Sequence, residues 1–157
     1  MLKLYNSRSR QIEEFKSLQP DGGGFYACGP TVYNFVHIGN LRSFLTADLL
    51  HRTLTGNGYR TKFVMNITDV GHLTSDGDSG EDKLEKNAKT LADVQAIVKK
   101  YTEAFLADIR AVNILTPDVL PKASEHIPEQ IEMIRALIEK GFAYESAEAV
   151  YFDISKF

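Results

Sequence analysis

Two short groups of residues carry side chains fit for chemistry, and they stand close together. Cys28, the only cysteine among 157 residues, ends the run Phe25-Tyr26-Ala27-Cys28 and is followed by Gly29-Pro30; the tetrapeptide His37-Ile38-Gly39-Asn40 begins nine residues after it. A thiolate is a nucleophile or a ligand for a soft metal such as zinc, whereas a thiol at a strand end is also an ordinary small hydrophobe. Zinc takes about four ligands. The other soft donors, His37, His51, His72 and His126, stand at no CxxC or HxxxH spacing to Cys28, so local pattern does not specify a zinc site. Residues 37–40 offer a different chemistry. At a helix start, unpaired amides and the positive dipole end attract phosphate, a histidine can donate to a phosphoryl oxygen, and a glycine admits a flat base. The plainer alternative is a capping or surface histidine beside a loop glycine.

The elements around these groups must place them. Residues 25–29 read as a short buried strand ended by Gly29-Pro30, because proline removes a ladder donor. From Leu41 the apolar residues Leu41, Phe44, Leu45, Leu49 and Leu54 recur on one helical face, with Gly56 and Gly58 as the stop. Residues 59–68, rich in aromatic and β-branched side chains, read as a second strand. Strand, helix and strand within about 45 residues make one βαβ unit, whose strands run parallel. The fold class expected is therefore α/β, a parallel-sheet nucleotide-binding architecture. Ligands in such sheets sit outside the carboxyl ends of the strands, where Cys28 and the His37 loop would meet residues 66–69.

The rest of the chain reads more plainly. Residues 2–5 suggest a short strand, residues 19–24 a turn with three glycines, and Ser7-Arg8-Ser9-Arg10 a solvated basic turn. Asp76, Asp78 and Glu81 hint at calcium, but Gly80, Glu81 and Asn87 occupy positions where the twelve-residue loop needs other residues, so a solvated acidic loop is expected. Thr90 with Asp93 opens a long helix whose stripe runs from Leu91 to Val112, and Leu115-Thr116-Pro117 breaks it. Ser124 is placed to cap a further helix ending at Gly141, and residues 142–154 suggest two short strands around residues 146–148.

Composition narrows the classes. With 43% apolar residues the chain can bury one real core, so one or two domains are expected. A net charge of -3 gives no overall basic footprint, so an RNA partner must meet a local patch. The charged N-terminus does not read as a signal peptide, no apolar run is long enough for a membrane span, and a lone cysteine forms no internal disulfide. The expectation is a cytoplasmic protein without membrane partners. There is no P-loop and no G-x-G-x-x-G fingerprint.

Taken in order, the segments at residues 1–15, 26–40, 63–88 and 105–146, including "YACGPTVYNFVHIGN" and "FVMNITDVGHLTSDGDSGEDKLEKNA", resemble the N-terminal part of cysteinyl-tRNA synthetase, a class I aminoacyl-tRNA synthetase. The resemblance covers essentially the whole chain. It implies the first half of a Rossmann-like catalytic domain over residues 1–115 and the start of an inserted connective segment over 116–157. Residues 37–40 match the signature His-Ile-Gly-His, which binds ATP. His37 would then contact phosphate, Gly39 adenine, and Thr31 would add a hydroxyl near the phosphates, with His37, Asn40 and Thr31 the catalytic candidates. Cys28 matches the first ligand of a zinc ion that binds the substrate thiolate. Gly29 and Thr68 would border the amino-acid pocket, and Mg2+ would accompany ATP.

The implied reaction joins L-cysteine to ATP as cysteinyl-adenylate and passes the cysteinyl group to tRNA(Cys). Thiol selection through a metal has a physical logic, because a site that demands a particular contact rejects an isostere such as serine far better than shape alone. One position departs from the signature: Asn40 stands where the second histidine belongs, and an amide donates a hydrogen bond but does not become cationic. The remaining zinc ligands, the KMSKS loop and the anticodon-binding domain of such enzymes correspond to no segment of residues 1–157. A truncated chain, inactive by itself, is therefore expected. Two alternatives remain open: a ligase joining cysteine to an amino-sugar in mycothiol synthesis, and a catalytically silent nucleotide- or tRNA-binding module.

Overall fold

The computed structural model describes residues 1–19, 22–71, 90–147 and 149–157. The acidic loop at residues 72–89, with the calcium question attached to it, lies outside the described residues, as does His72.

The site rests on a parallel strand pair. Strands β3 (Gly22–Ala27) and β4 (Arg60–Met65) run side by side in register from Gly22 opposite Arg60 to Ala27 opposite Met65, and helix α1 (Ile38–Gly56) connects them. The expected βαβ unit is therefore present. Its first strand begins earlier than expected, within the glycines taken as a turn. Gly22 is required there: its φ is +126°, and a Cβ would lie 1.8 Å from the Arg60 carbonyl oxygen. Nor is β3 buried as a whole, since its side chains alternate and Tyr26 is exposed.

Strand β4 alternates in the pattern of a half-buried strand, with Phe63 and Met65 fully inside and Ile67 continuing the row beyond its end. The segment after α2 (Leu91–Ala111), expected only to break that helix, runs parallel to β4 as an irregular third strand. Val119 N-H donates to Phe63 O (3.2 Å), Met65 N-H to Val119 O (3.0 Å) and Ile67 N-H to Pro121 O (2.8 Å). Prolines at 117 and 121 remove ladder donors, which explains why a strand was not legible here.

The core lies between this sheet, α1 and α2. It comprises Val32, Phe44, Phe63, Met65, Ile67, Phe105, Ile109 and Ile114, with Phe44 edge-on to Phe105 at 5.3 Å. Helix α2 begins with the expected capping box, Thr90 accepting from Asp93 N-H while Asp93 accepts from Thr90 N-H. Helix α1 faces inward differently from expectation. Leu45 and Leu49 are exposed, while Phe44, Leu54 and the acid Asp48 are buried. Asp48 accepts from Arg52 Nε (2.7 Å) and Leu115 N-H (3.0 Å), and Arg52 also donates to Asn113 O. That network turns the Asp48 face of the helix toward the end of α2, one step around from Leu45 and Leu49.

The remaining elements are peripheral. β1 (Lys3–Asn6) and β2 (Gln11–Glu14) form a hairpin through the basic turn; β2 has one apolar residue, Ile12, and all four of its residues are exposed. Helix α3 (Ile127–Glu139) follows a single 3-10 turn at Ala123–His126, and β5 (Ala143–Glu145) pairs antiparallel with β6 (Val150–Phe152). Ser124 does not cap α3; the capping position falls to His126, without a side-chain bond. Ser124 is drawn instead to buried Asp69, which accepts from its backbone N-H (2.9 Å) and its hydroxyl (2.6 Å).

Candidate active site

The carboxyl ends of β3 and β4 release two segments that press against each other. Thr68 N-H donates to Pro30 O (3.0 Å) and Val32 N-H to Thr68 O (3.1 Å), a parallel bridge that sets Thr31 beside Thr68. Gly29 is needed at the crossing for space alone, because a Cβ there would lie 1.7 Å from Asn66 O. The β3 segment then turns through residues 32–36 into α1.

His37 is the N-cap of α1. Its Nδ1 accepts from Gly39 N-H (3.1 Å) and Asn40 N-H (3.4 Å), while Asn40 Oδ1 accepts from His37 N-H (3.0 Å). With Nδ1 an acceptor, the neutral ring carries its proton on Nε2. The capping and phosphate readings of His37 are thus compatible: one nitrogen holds the helix start and the other is left as a donor. Asn40 plays the reciprocal part of the box through its oxygen, leaving Nδ2 as a donor among the described residues. Gly39 has a local reason as well. A Cβ would sit 2.9 Å from His37 Cε1, so the ring needs that space.

Cys28, Gly29, Thr31, His37 and Asn40 all line one cavity of about 380 Å³. Gly39 is adjacent in the helix start without lining the cavity, and Thr68 stands behind Thr31 across the bridge. A larger cavity, of about 1140 Å³, opens at the other end of the sheet beside Gly22, His51 and Arg60. It contains neither the thiol nor the helix start, so donor chemistry rather than size identifies the site.

Cys28 is exposed, not the buried hydrophobe of the plain reading. It does not make a zinc site with its described surroundings, since no group of three or more His, Cys, Asp or Glu side chains fit for a metal exists among the described residues. Beside it stands Tyr26, whose phenol is held above its ordinary pKa, by desolvation first and then by the Cys28 sulfur. The Tyr26 hydroxyl donates to Asn66 Oδ1 (2.9 Å). Tyr26 and the side-chain bonds of Asn66 were not singled out by the sequence. The available signal was that Asn66 is the first, polar residue of the segment 66–69 already expected at the site.

Among the described residues no helix is long and apolar enough to cross a membrane. Residues 14–157 match the family model of the class I (C) tRNA synthetase catalytic domain. The chain is 47% identical over 156 residues to cysteine–tRNA ligase 1 of Burkholderia lata, covering 99% of this chain and 33% of that protein. It is 48% identical over 158 residues to the cysteine–tRNA ligase of Borrelia garinii, covering 100% of this chain and 32% of that protein. The chain thus spans about a third of the length of the curated relatives it matches. A solved structure from Campylobacter jejuni described as an arginyl-tRNA synthetase shares the fold at a TM-score of 0.62 and 12% identity, over 89% of this chain and 39% of that one. With its parallel strand pair, its histidine-capped helix and this match over residues 14–157, the chain belongs to the class I (C) tRNA synthetase catalytic-domain family.

Proposed function

We propose that these residues form part of a cysteine–tRNA ligase, binding ATP and L-cysteine for activation and serving tRNA(Cys) as acceptor. One observation carries the reading: Cys28, Thr31, His37 and Asn40, separated in sequence, line a single cavity at the carboxyl ends of β3 and β4. In the activation step a carboxylate oxygen of cysteine attacks the α-phosphorus of ATP. The bond from that phosphorus to the bridging oxygen breaks, and pyrophosphate leaves with the electron pair. In the second step a terminal ribose hydroxyl of tRNA attacks the activated carbonyl, and AMP departs.

The roles follow from donors and space. His37 Nε2-H and the Thr31 hydroxyl supply hydrogen bonds to phosphoryl oxygens as charge builds on them. Gly39, kept small for the His37 ring, also leaves room for adenine at the helix start. Asn40 holds His37 in place through the capping box, a task its amide performs without a positive charge. Cys28, Gly29 and Thr68 border the place of the amino acid. Zn2+ would find one ligand in Cys28, and Mg2+ would travel with ATP; neither is needed for what His37, Asn40 and Thr31 do above. The division of the chain near residue 116 into a catalytic half-domain and a connective segment is supported by α3 packing on β5, though Val119 and Lys122 still bridge the sheet side. A cytoplasmic setting fits the reaction.

The test is cysteine-dependent exchange between ATP and labelled pyrophosphate, with charging of tRNA(Cys), by the complete polypeptide that carries these residues. Exchange with cysteine and not with serine is expected, and its absence would sink the reading. His37→Ala is expected to lower kcat by roughly 100-fold or more while changing the KM for cysteine little; an effect on KM alone would remove His37 from the transition state.

A further inference from the structure

We propose that Tyr101 of α2 is a positioning residue of this site: its ring holds Phe35, two residues ahead of the His37 cap, and so fixes where the Nε2-H of His37 is presented. The inference rests on the cysteine-activation reading and adds to it a residue from a helix that does not itself line the cavity.

The chain reaches the start of α1 through a stretch with little to hold it. Val32 is still tied to the sheet side, its N-H donating to Thr68 O. Beyond it, Asn34, Phe35 and Val36 make no hydrogen bond to another segment among the described residues, and Phe35 N-H is spent on the neighbouring Asn34 Oδ1 (2.8 Å). Val36 leans on the core. Phe35 lines the cavity with Cys28 and His37 and is 57% exposed, so burial alone does not fix its ring.

Tyr101 supplies the missing hold. The two rings meet edge-on, with centroids 4.9 Å apart and planes at 83°, a favoured aromatic geometry. Lys100 Nζ lies over both, 5.5 Å from the Phe35 centroid and 5.0 Å from that of Tyr101, within reach of cation–π attraction. One turn further along the same face of α2, Phe105 meets Phe44, which also lines the cavity. Tyr101 and Phe105 therefore grip the chain on both sides of His37, at Phe35 before it and at Phe44 after it. The Phe44 grip lies in the core, and the Phe35 grip meets the approach to the cap. That approach matters because His37 must stay extended, with φ -112° and ψ 173°, while its Nδ1 accepts from Gly39 and Asn40 N-H. A released loop lets the ring turn, and the Nε2 donor is no longer held in one place. Tyr101 touches no reacting atom; it acts through Phe35 on His37.

The test uses the complete polypeptide that carries these residues. Tyr101→Leu is expected to lower kcat of cysteine-dependent ATP–pyrophosphate exchange about 5-fold, the worth of one edge-to-face pair, with the KM for cysteine within about twofold. Tyr101→Phe keeps the ring and should stay near the parent. Added to His37→Ala, Tyr101→Leu should change little further, because the group it positions is gone. A mere loss of folded protein would lower the rate equally in both backgrounds, and that result would overturn the assignment. The ring-nitrogen resonances of isotope-labelled His37 give a reading without activity: the Nε2-H tautomer is expected in the parent and a mixture of both tautomers in Tyr101→Leu. An unchanged tautomer in Tyr101→Leu would also overturn it. Absence of cysteine-dependent exchange in the unsubstituted protein, with the tautomer still responding to Tyr101→Leu, would instead refute the activation reading and leave the hold on His37 standing.

Discussion

Replacing Gly29 by alanine should separate the two segments that build the site. Gly29 has no left-handed backbone requirement; the constraint is contact, because its Cβ would be placed 1.7 Å from Asn66 O, 2.9 Å from Asn66 C and 2.9 Å from Met65 Cγ. A real Cβ does not approach an oxygen closer than about 3.0 Å, so the chains must part by roughly an ångström or more. The separation breaks or stretches the bond from Gly29 N-H to Asn66 Oδ1, worth about 1 kcal/mol. Strain from overpacking adds about 1–3 kcal/mol. The reduced freedom of the unfolded chain returns about 0.5 kcal/mol, so a net destabilisation of about 1.5–3.5 kcal/mol is expected. The control is Gly23→Ala in the same strand, where the nearest atom, Ser17 Oγ, is 3.9 Å away and the effect should lie within about 0.5 kcal/mol of zero. Urea unfolding followed by circular dichroism measures both. Exchange at the Val32 and Thr68 amides, whose bonds tie the segments, should accelerate in Gly29→Ala alone. A displacement of this size near reacting groups costs about 100-fold in rate, so on the proposed reading cysteine activation by the complete polypeptide should fall well beyond the stability loss. Equal stability of the two variants would refute the contact argument.

Asp48→Ala should destabilise by about 2–4 kcal/mol, because it strands Leu115 N-H and one bond of Arg52 while Arg52, 39% exposed, can still turn to water; a urea midpoint within error of the parent would contradict it. Tyr26 gives a pH dependence. Its raised folded pKa means that the unfolded chain gives up this proton first as the pH passes about 10. The folded state then binds more protons than the unfolded one, and stability falls with rising pH from there toward the folded pKa. Unfolding midpoints compared between pH 9 and 11 should fall more steeply for the parent than for Tyr26→Phe, and parallel curves would deny the shift.

What the sequence discloses of this site follows from the range of the interactions involved. The βαβ unit was readable because each of its elements carries a local signal: an apolar run stopped by Gly29-Pro30, a helical repeat from Leu41 to Leu54, and the aromatic and β-branched residues of 59–68. The Thr90 box was readable because both partners lie within one turn. The inward face of α1 was misjudged where a long-range polar bond decided it: Asp48 is bonded to Leu115, 67 residues away, and no count of apolar residues reveals that partner. Ser124 failed as a cap for the same reason, since Asp69, 55 residues distant, holds it by two bonds that the first turn of α3 does not match. The functional site is divided along the same line. His37, Gly39 and Asn40 form a local motif with local bonds, legible as a helix start from their own types, and a site candidate only through the ordered resemblance along the chain. Tyr26, Gly29, Asn66 and Thr68 are joined across 37 to 40 residues or through a strand-end bridge. Asn66 taken alone is one polar residue after a strand; its meaning lies in the donors that two other segments bring to it. A site built where parallel strands end always has this second, non-local layer, because the strands that bring its segments together are separated in sequence by at least the length of a crossover helix.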